Sequence, residues 1–275
     1  MSEHRERFAA AACDPNGPLD LACLLMGTEV EPELDVAGML VRLDGLAEVV
    51  GAGLPGSAGP AAIGRHLRAT LGGDVGFAGA ASDYDDLRSS LLHEVLRTRR
   101  GLPILLSVVW LEVARRIEVP AYGIGLPGHF VVGIGDPELA ADPSGAAFAL
   151  VDPFAGGTPV PSATLYRAIG HEATARDLRP WDTPRTLLRI LANIRTWAQR
   201  TERVRTRLWA LELSLLLPGC PEGLRREHGE TLARTGEFAA AAVALEAFAE
   251  RVEAEHPLVA RSARQDARTA RSRLN

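Results

Sequence analysis

The sequence predicts an α+β fold on three observations. Helical periodicity runs through most of the 275 residues. A block of three short apolar strands interrupts it between residues 121 and 151. A helix apolar on most of its sides leads straight into that block. With 47% hydrophobic residues the chain can bury one large core or two smaller ones.

The first hundred residues read as a helical region packed on the central unit. Residues 19–26 and 36–50 repeat apolar side chains at helical spacing. Between them, residues 28–35 offer acidic groups and a proline, the chemistry of a helix start. Residues 51–60 form a Gly/Pro/Ser-rich break and residues 72–86 an irregular stretch. Residues 89–99 read as a short amphipathic helix.

The central unit spans residues 101–180. Pro103 suits the first turn of a helix, where no N–H is needed. Residues 104–117 are apolar except at Ser107, Glu112, Arg115 and Arg116, so this helix belongs in the core. Pro120 ends it. Residues 121–126 and 129–134 read as strands around the turn Pro127-Gly128, residues 135–145 as a loop, and residues 147–151 as a third strand. Asp-Pro-Phe-Ala-Gly-Gly closes the block at residues 152–157. If the second and third strands pair so that Ile134 lies beside Ala147, His129 falls opposite Asp152. Directly opposed Cβ atoms stand about 5 Å apart.

The last third is helical again, over residues 186–199, 207–217, 224–235 and 238–252. Residues 181–256 are expected to form a helical region. Leu-Ala-Arg-Thr-Gly-Glu-Phe at 232–238, with Ala242, Leu245 and Phe248, has the layout of a tetratricopeptide hairpin. Residues 257–275, with five arginines and one aspartate, read as a frayed helix or flexible tail.

Composition narrows function. A net charge of −5 gives no reason to expect nucleic acid as a partner. No apolar run suggests a membrane span. Residues 1–14 lack a signal-peptide pattern, so a cytoplasmic protein is expected. Cys13, Cys23 and Cys220 form no Cys-x-x-Cys pair, which argues against a disulfide framework or zinc site. No metal and no cofactor is expected. The chain contains no lysine, so no lysine amine can act as base or Schiff-base former.

The chemistry centres on His129 and Asp152. A carboxylate that faces a histidine fixes its tautomer and raises its basicity, which makes two thirds of a nucleophilic triad. Each also has an ordinary reading: a capped histidine in the core, and an Asp-Pro turn.

Gly101-Leu-Pro-Ile, the Arg-Arg-x-x-Val-Pro helix end, Leu-Pro-Gly-His-Phe and Asp-Pro-Phe-x-Gly-Gly resemble the SirB-type proteins. These are a bacterial branch of the transglutaminase-like superfamily. The resemblance runs from about residue 20 to 250. It implies a papain-like core with C-terminal tetratricopeptide-like helices. In active relatives, a cysteine at the N-terminus of the core helix attacks an acyl group. A histidine on the next strand is its base, and an aspartate on the following strand orients the histidine. His129 and Asp152 match the last two positions. The cysteine position falls on Pro103 or, second choice, Ile104, and neither is a nucleophile.

Ser107 is one turn deeper on the same face as Pro103. It is the substitute nucleophile to consider, and a hydroxyl bonded to the carbonyl of residue 103 is its ordinary reading. Pro103, Gly128, Phe130 and Phe154 are expected to flank the cleft. The expected function is a non-catalytic protein that binds an unidentified protein or peptide. The alternative is an acyl-transfer or hydrolytic enzyme using His129 and Asp152 with Ser107 or a recruited nucleophile.

Overall fold

The computed structural model describes residues 2–14, 17–54, 56, 58–139, 147–174 and 176–274. The chain divides into two compact units, Met1–Ile190 and Leu191–Asn275.

In the first unit, helices α1 (Glu3–Ala12), α2 (Leu19–Gly27), α3 (Val36–Ala52) and α4 (Pro60–Leu67) precede an irregular stretch. That stretch holds one π-helical turn, Arg68–Asp74, and two 3₁₀ turns, Ala81–Asp85 and Leu87–Ser90. Helices α5 (Leu92–Thr98) and α6 (Pro103–Arg116) come next. The helix starts are dictated by sequence: Asp35 Oδ1 accepts from the Gly38 N–H at 2.9 Å, and Pro60 and Pro103 open α4 and α6. Every residue from Pro103 to Trp110 is buried, as an apolar core helix requires.

Buried charge ties α2, α3 and α6 together. Asp20 and Glu112 are 2% and 3% exposed. Arg116 reaches Asp20 at 2.6 Å, Asp44 at 2.7 Å and Glu112 at 3.1 Å. Arg115 adds a 2.8 Å pair with Glu112, whose Oε1 accepts from the Leu19 N–H that opens α2. Burial, and then the neighbouring Asp20, push the Glu112 carboxyl up, and the two arginines hold the cluster together.

After α6 come strands β1 (Ala121–Leu126), β2 (His129–Gly135), β3 (Phe148–Asp152) and β4 (Thr158–Pro159). They form one antiparallel sheet in chain order. Pro127 and Gly128 close the β1–β2 hairpin, with Gly128 at φ +70°. The two-residue β4 was not expected from the sequence. The loop predicted over residues 135–145 lies partly in residues 140–146, outside the described residues. Alternation assigns the two faces of the sheet. A Cβ at Gly123 would meet Leu111 of α6, and one at Gly64 of α4 would meet Ile134 and Val151, so both helices cover that face. On the other face Ile124, Leu126, Val131 and Phe148 pack with Leu165 and Leu178. Leu165 comes from α7 (Ser162–Ile169), which was also not expected. Helix α8 (Thr183–Arg200) comes after it.

The second unit holds α9 (Val204–Leu215), α10 (Gly223–Thr235), α11 (Phe238–Val252) and α12 (Pro257–Ser272). Gly236, at φ +88°, turns α10 into α11. The flexible tail expected from residue 257 is instead helix α12. Its Ala260, Ala263, Ala267 and Ala270 are at most 3% exposed. Small residues at helical spacing let α12 lie close against α11, an apolar stripe too weakly hydrophobic to stand out among arginines. Two of those arginines are paired, Arg264 with Glu253 and Arg271 with Glu246.

Candidate functional site

His129 and Asp152 meet: His129 Nε2 lies 2.9 Å from Asp152 Oδ2. The route differs from the expected one. The β2–β3 register pairs Ile134 with Ala149, two residues beyond the predicted Ala147. Continuing that register sets Val131, not His129, opposite Asp152. A two-residue slip keeps each side chain on its face, so the pair forms on the diagonal instead.

Asp152 serves two purposes at once. Its Oδ1 accepts from the Phe154 N–H at 2.9 Å and caps the 3₁₀ turn Pro153–Ala155. Its Oδ2 is thereby aimed at the imidazole. The turn itself is held by close backbone packing. Gly79 N–H donates to the Phe154 carbonyl at 2.9 Å. A Cβ at Gly72 would lie 2.0 Å from the Gly156 carbonyl oxygen, and one at Gly79 would lie 1.9 Å from the Phe154 ring. The irregular stretch before α5 therefore fits against the Asp-Pro-Phe-Ala-Gly-Gly turn only because glycines stand there.

With Nε2 on the carboxylate, the His129 Nδ1 is the ring nitrogen left for a ligand. The side chains are 24% and 19% exposed, so the pair can be reached from solvent. The Phe154 ring packs edge-on to His129 at 6.3 Å, and the Tyr84 ring packs on Phe154 at 6.2 Å. Burial pushes the Tyr84 phenol up. Arg189 opposes that shift and the charge of Asp152 adds to it, so the phenol stays protonated beside the pair. Sequence reasoning missed Tyr84 and Arg189. Tyr84 sits in a 3₁₀ turn with no period to flag it, and Arg189 reads as one more arginine on a helix.

The remaining candidates are placed differently. Pro103 opens α6 and is buried, and α6 packs on β1, β2 and the Pro153–Ala155 turn. Ser107 is 0% exposed, and its Oγ makes no hydrogen bond, so the expected bond to the carbonyl of residue 103 is absent. Gly128 is exposed in the hairpin turn. Phe130 is 2% exposed and packs edge-on to Trp181 at 5.6 Å. By alternation it points to the face that α6 covers, away from His129. Burial, and then the charges of Glu112 and Asp20, push the Cys23 thiol pKa up. Glu112 is nine residues past Pro103, about 13.5 Å along the helix axis. Cys13 is exposed after α1, and Cys220 lies in the second unit.

Among the described residues, one cluster has metal-ligand chemistry: Glu31, His93 and Glu94, with ligand atoms within 4.8 Å of one another. Arg97 already pairs with both carboxylates, at 2.7 and 2.8 Å. Among the described residues no helix is long and apolar enough to cross a membrane.

The sheet, the buried helix before it and the strand-borne His–Asp pair define a transglutaminase-like domain. Residues 38–192, more than half of the chain, match the family model described as the transglutaminase-like superfamily, and the chain belongs to that superfamily. It is similar to a UPF0162 protein of Xylella fastidiosa, with 35% identity over 60% of this chain and 58% of the relative. A UPF0162 protein of Pseudomonas aeruginosa is 32% identical over 45% of each chain. Mouse F-box only protein 21 is 27% identical over 45% of this chain and 20% of its own length. The chain thus spans little more than half the length of the first of these relatives. No solved structure matches it significantly.

Proposed function

We propose that this protein binds a peptide or protein segment at the His129–Asp152 surface and does not transfer acyl groups there. The observation that carries this reading is the make-up of the surface: an accessible imidazole–carboxylate pair beside an aromatic shelf. Phe154 and the 43%-exposed Tyr84 offer a face for apolar side chains. His129 Nδ1 offers a hydrogen bond to a peptide backbone. Pro103 at the head of α6 supports the same reading, because a proline cannot replace an attacking thiolate.

A second reading rests on Ser107. Its hydroxyl is not bonded to the helix, which leaves its hydrogen available to an activating base. Full burial weighs against it, since an acyl group would have to enter the core. The quoted motifs also support placing the chain in the SirB-type branch. The Gly236-joined pair α10–α11 supports a tetratricopeptide-like reading of the second unit. Screening a random peptide library on the full chain tests the proposal. Selected peptides should lose affinity for the His129→Ala and Asp152→Ala variants. Selection of peptides indifferent to both would overturn it.

A further inference from the structure

A cavity of about 400 Å³ opens at the edge of the sheet, beside the turn that leads into His129. Arg176, Arg179 and Arg185 line it, with a single carboxylate, Asp177. That carboxylate is already engaged: the Thr174 backbone N–H donates to it at 3.0 Å and the Thr174 hydroxyl at 2.6 Å. Among the described residues none of the three arginines forms an ion pair. Other arginines of this acidic chain, among them Arg5, Arg97, Arg100, Arg116, Arg195 and Arg207, are paired with carboxylates. Three guanidinium groups face one carboxylate, Asp177, around this cavity, so positive charge and strong directional donors are in excess there.

The cavity wall is fixed in place. The Trp181 backbone N–H donates to the Gly123 carbonyl at 2.9 Å, and the Trp181 ring packs on Phe130. The Arg185 guanidinium lies over that ring at 3.9 Å, which holds its flat face. Leu178, between Arg176 and Arg179, is 3% exposed and anchors their segment in the core. Pro127 also lines the cavity and stands two residues before His129. Two Cα–Cα steps bound their separation at about 7.6 Å.

We propose that this cavity is an anion subsite, taking a carboxylate or phosphate group on the peptide held at His129 and Asp152. The inference rests on the peptide-binding reading only for the ligand being shared. Calorimetry on the full chain would use inorganic phosphate and three capped tetrapeptides, of glutamate, phosphoserine and glutamine. Phosphate and at least one acidic peptide should bind saturably, and the glutamine peptide should not. The tighter acidic peptide names the source of the anion. The double variant Arg176→Ala/Arg179→Ala removes two exposed side chains. It should weaken both anions roughly tenfold or more. Absence of saturable anion binding, or affinities unchanged in the double variant, would overturn the subsite. His129→Ala separates the two claims: phosphate affinity should not change, whereas the acidic peptide should bind more weakly. If the acidic peptide binds His129→Ala unchanged, the pair is no part of the peptide site and the cavity acts alone.

Discussion

His129 Nε2 and Asp152 Oδ2 stand 2.9 Å apart although the two residues are not opposite each other in the sheet. The carboxylate reaches the ring diagonally while its other oxygen caps the turn after β3. Asp152 is therefore both a structural cap and the group that orients the imidazole. Its replacement by Ala should cost about 1 kcal/mol from the lost cap and release His129 from a single tautomer. Asp152→Asn keeps an acceptor and should recover most of the stability. Chemical denaturation and ¹⁵N shifts of the His129 ring check the two effects separately.

The turn that carries Asp152 depends on the close approach of Gly72 to Gly156. The clash partner there is backbone, which cannot rotate away. Gly72→Ala should destabilise the first unit by about 1–3 kcal/mol through overpacking. The His129 ring resonances should shift with it, because the turn moves. Thermal unfolding and the histidine spectrum are the measurements.

Arg116 is the cation common to Asp20, Asp44 and Glu112. Removing it leaves two almost fully buried carboxylates with Arg115 alone, 2.8 Å from Glu112 and 3.5 Å from Asp20. Arg116→Ala should cost about 2–4 kcal/mol, below the full penalty of a buried charge left with no partner because Arg115 remains. Asp44→Ala, which removes only the exposed partner, should cost about 1 kcal/mol or less. Urea denaturation of the two variants gives the comparison.

Acid sensitivity should come in part from His93. Its side chain is 1% exposed, and burial lowers its pKa from the ordinary 6.5 more than Glu94 and Glu31 raise it. The unfolded chain therefore takes up the His93 proton at a higher pH than the folded one. Stability tied to this group is complete above about pH 6.5 and is lost as pH falls through the window below it. A His93→Phe variant should show a flatter stability profile across that window. Denaturation midpoints at successive pH values check this.

Helices with strong apolar periods, α2, α3, α6, α10 and α11, were legible in the sequence, and so were three of the four strands. The His129–Asp152 pair was legible because a period-2 strand tolerates a two-residue register error without changing faces. What stayed hidden had no period to show. Tyr84 lies in a 3₁₀ turn, β4 is two residues long, and α12 buries only alanines. Arg189 and the cavity arginines are distinguished by their surroundings, the Tyr84 phenol for one and a shared cavity for the others, and those become visible only once neighbours are known.

The proposal that this site binds without a working nucleophile is tested most directly by covalent labelling. The full chain would be treated with a fluorophosphonate and with iodoacetamide, and adducts mapped by peptide mass spectrometry in wild type and His129→Ala. The expected result is no fluorophosphonate adduct, and iodoacetamide adducts at cysteines that do not depend on His129. An adduct on Ser107, or on any cysteine, that disappears in His129→Ala would contradict a binding-only role and make this protein an enzyme.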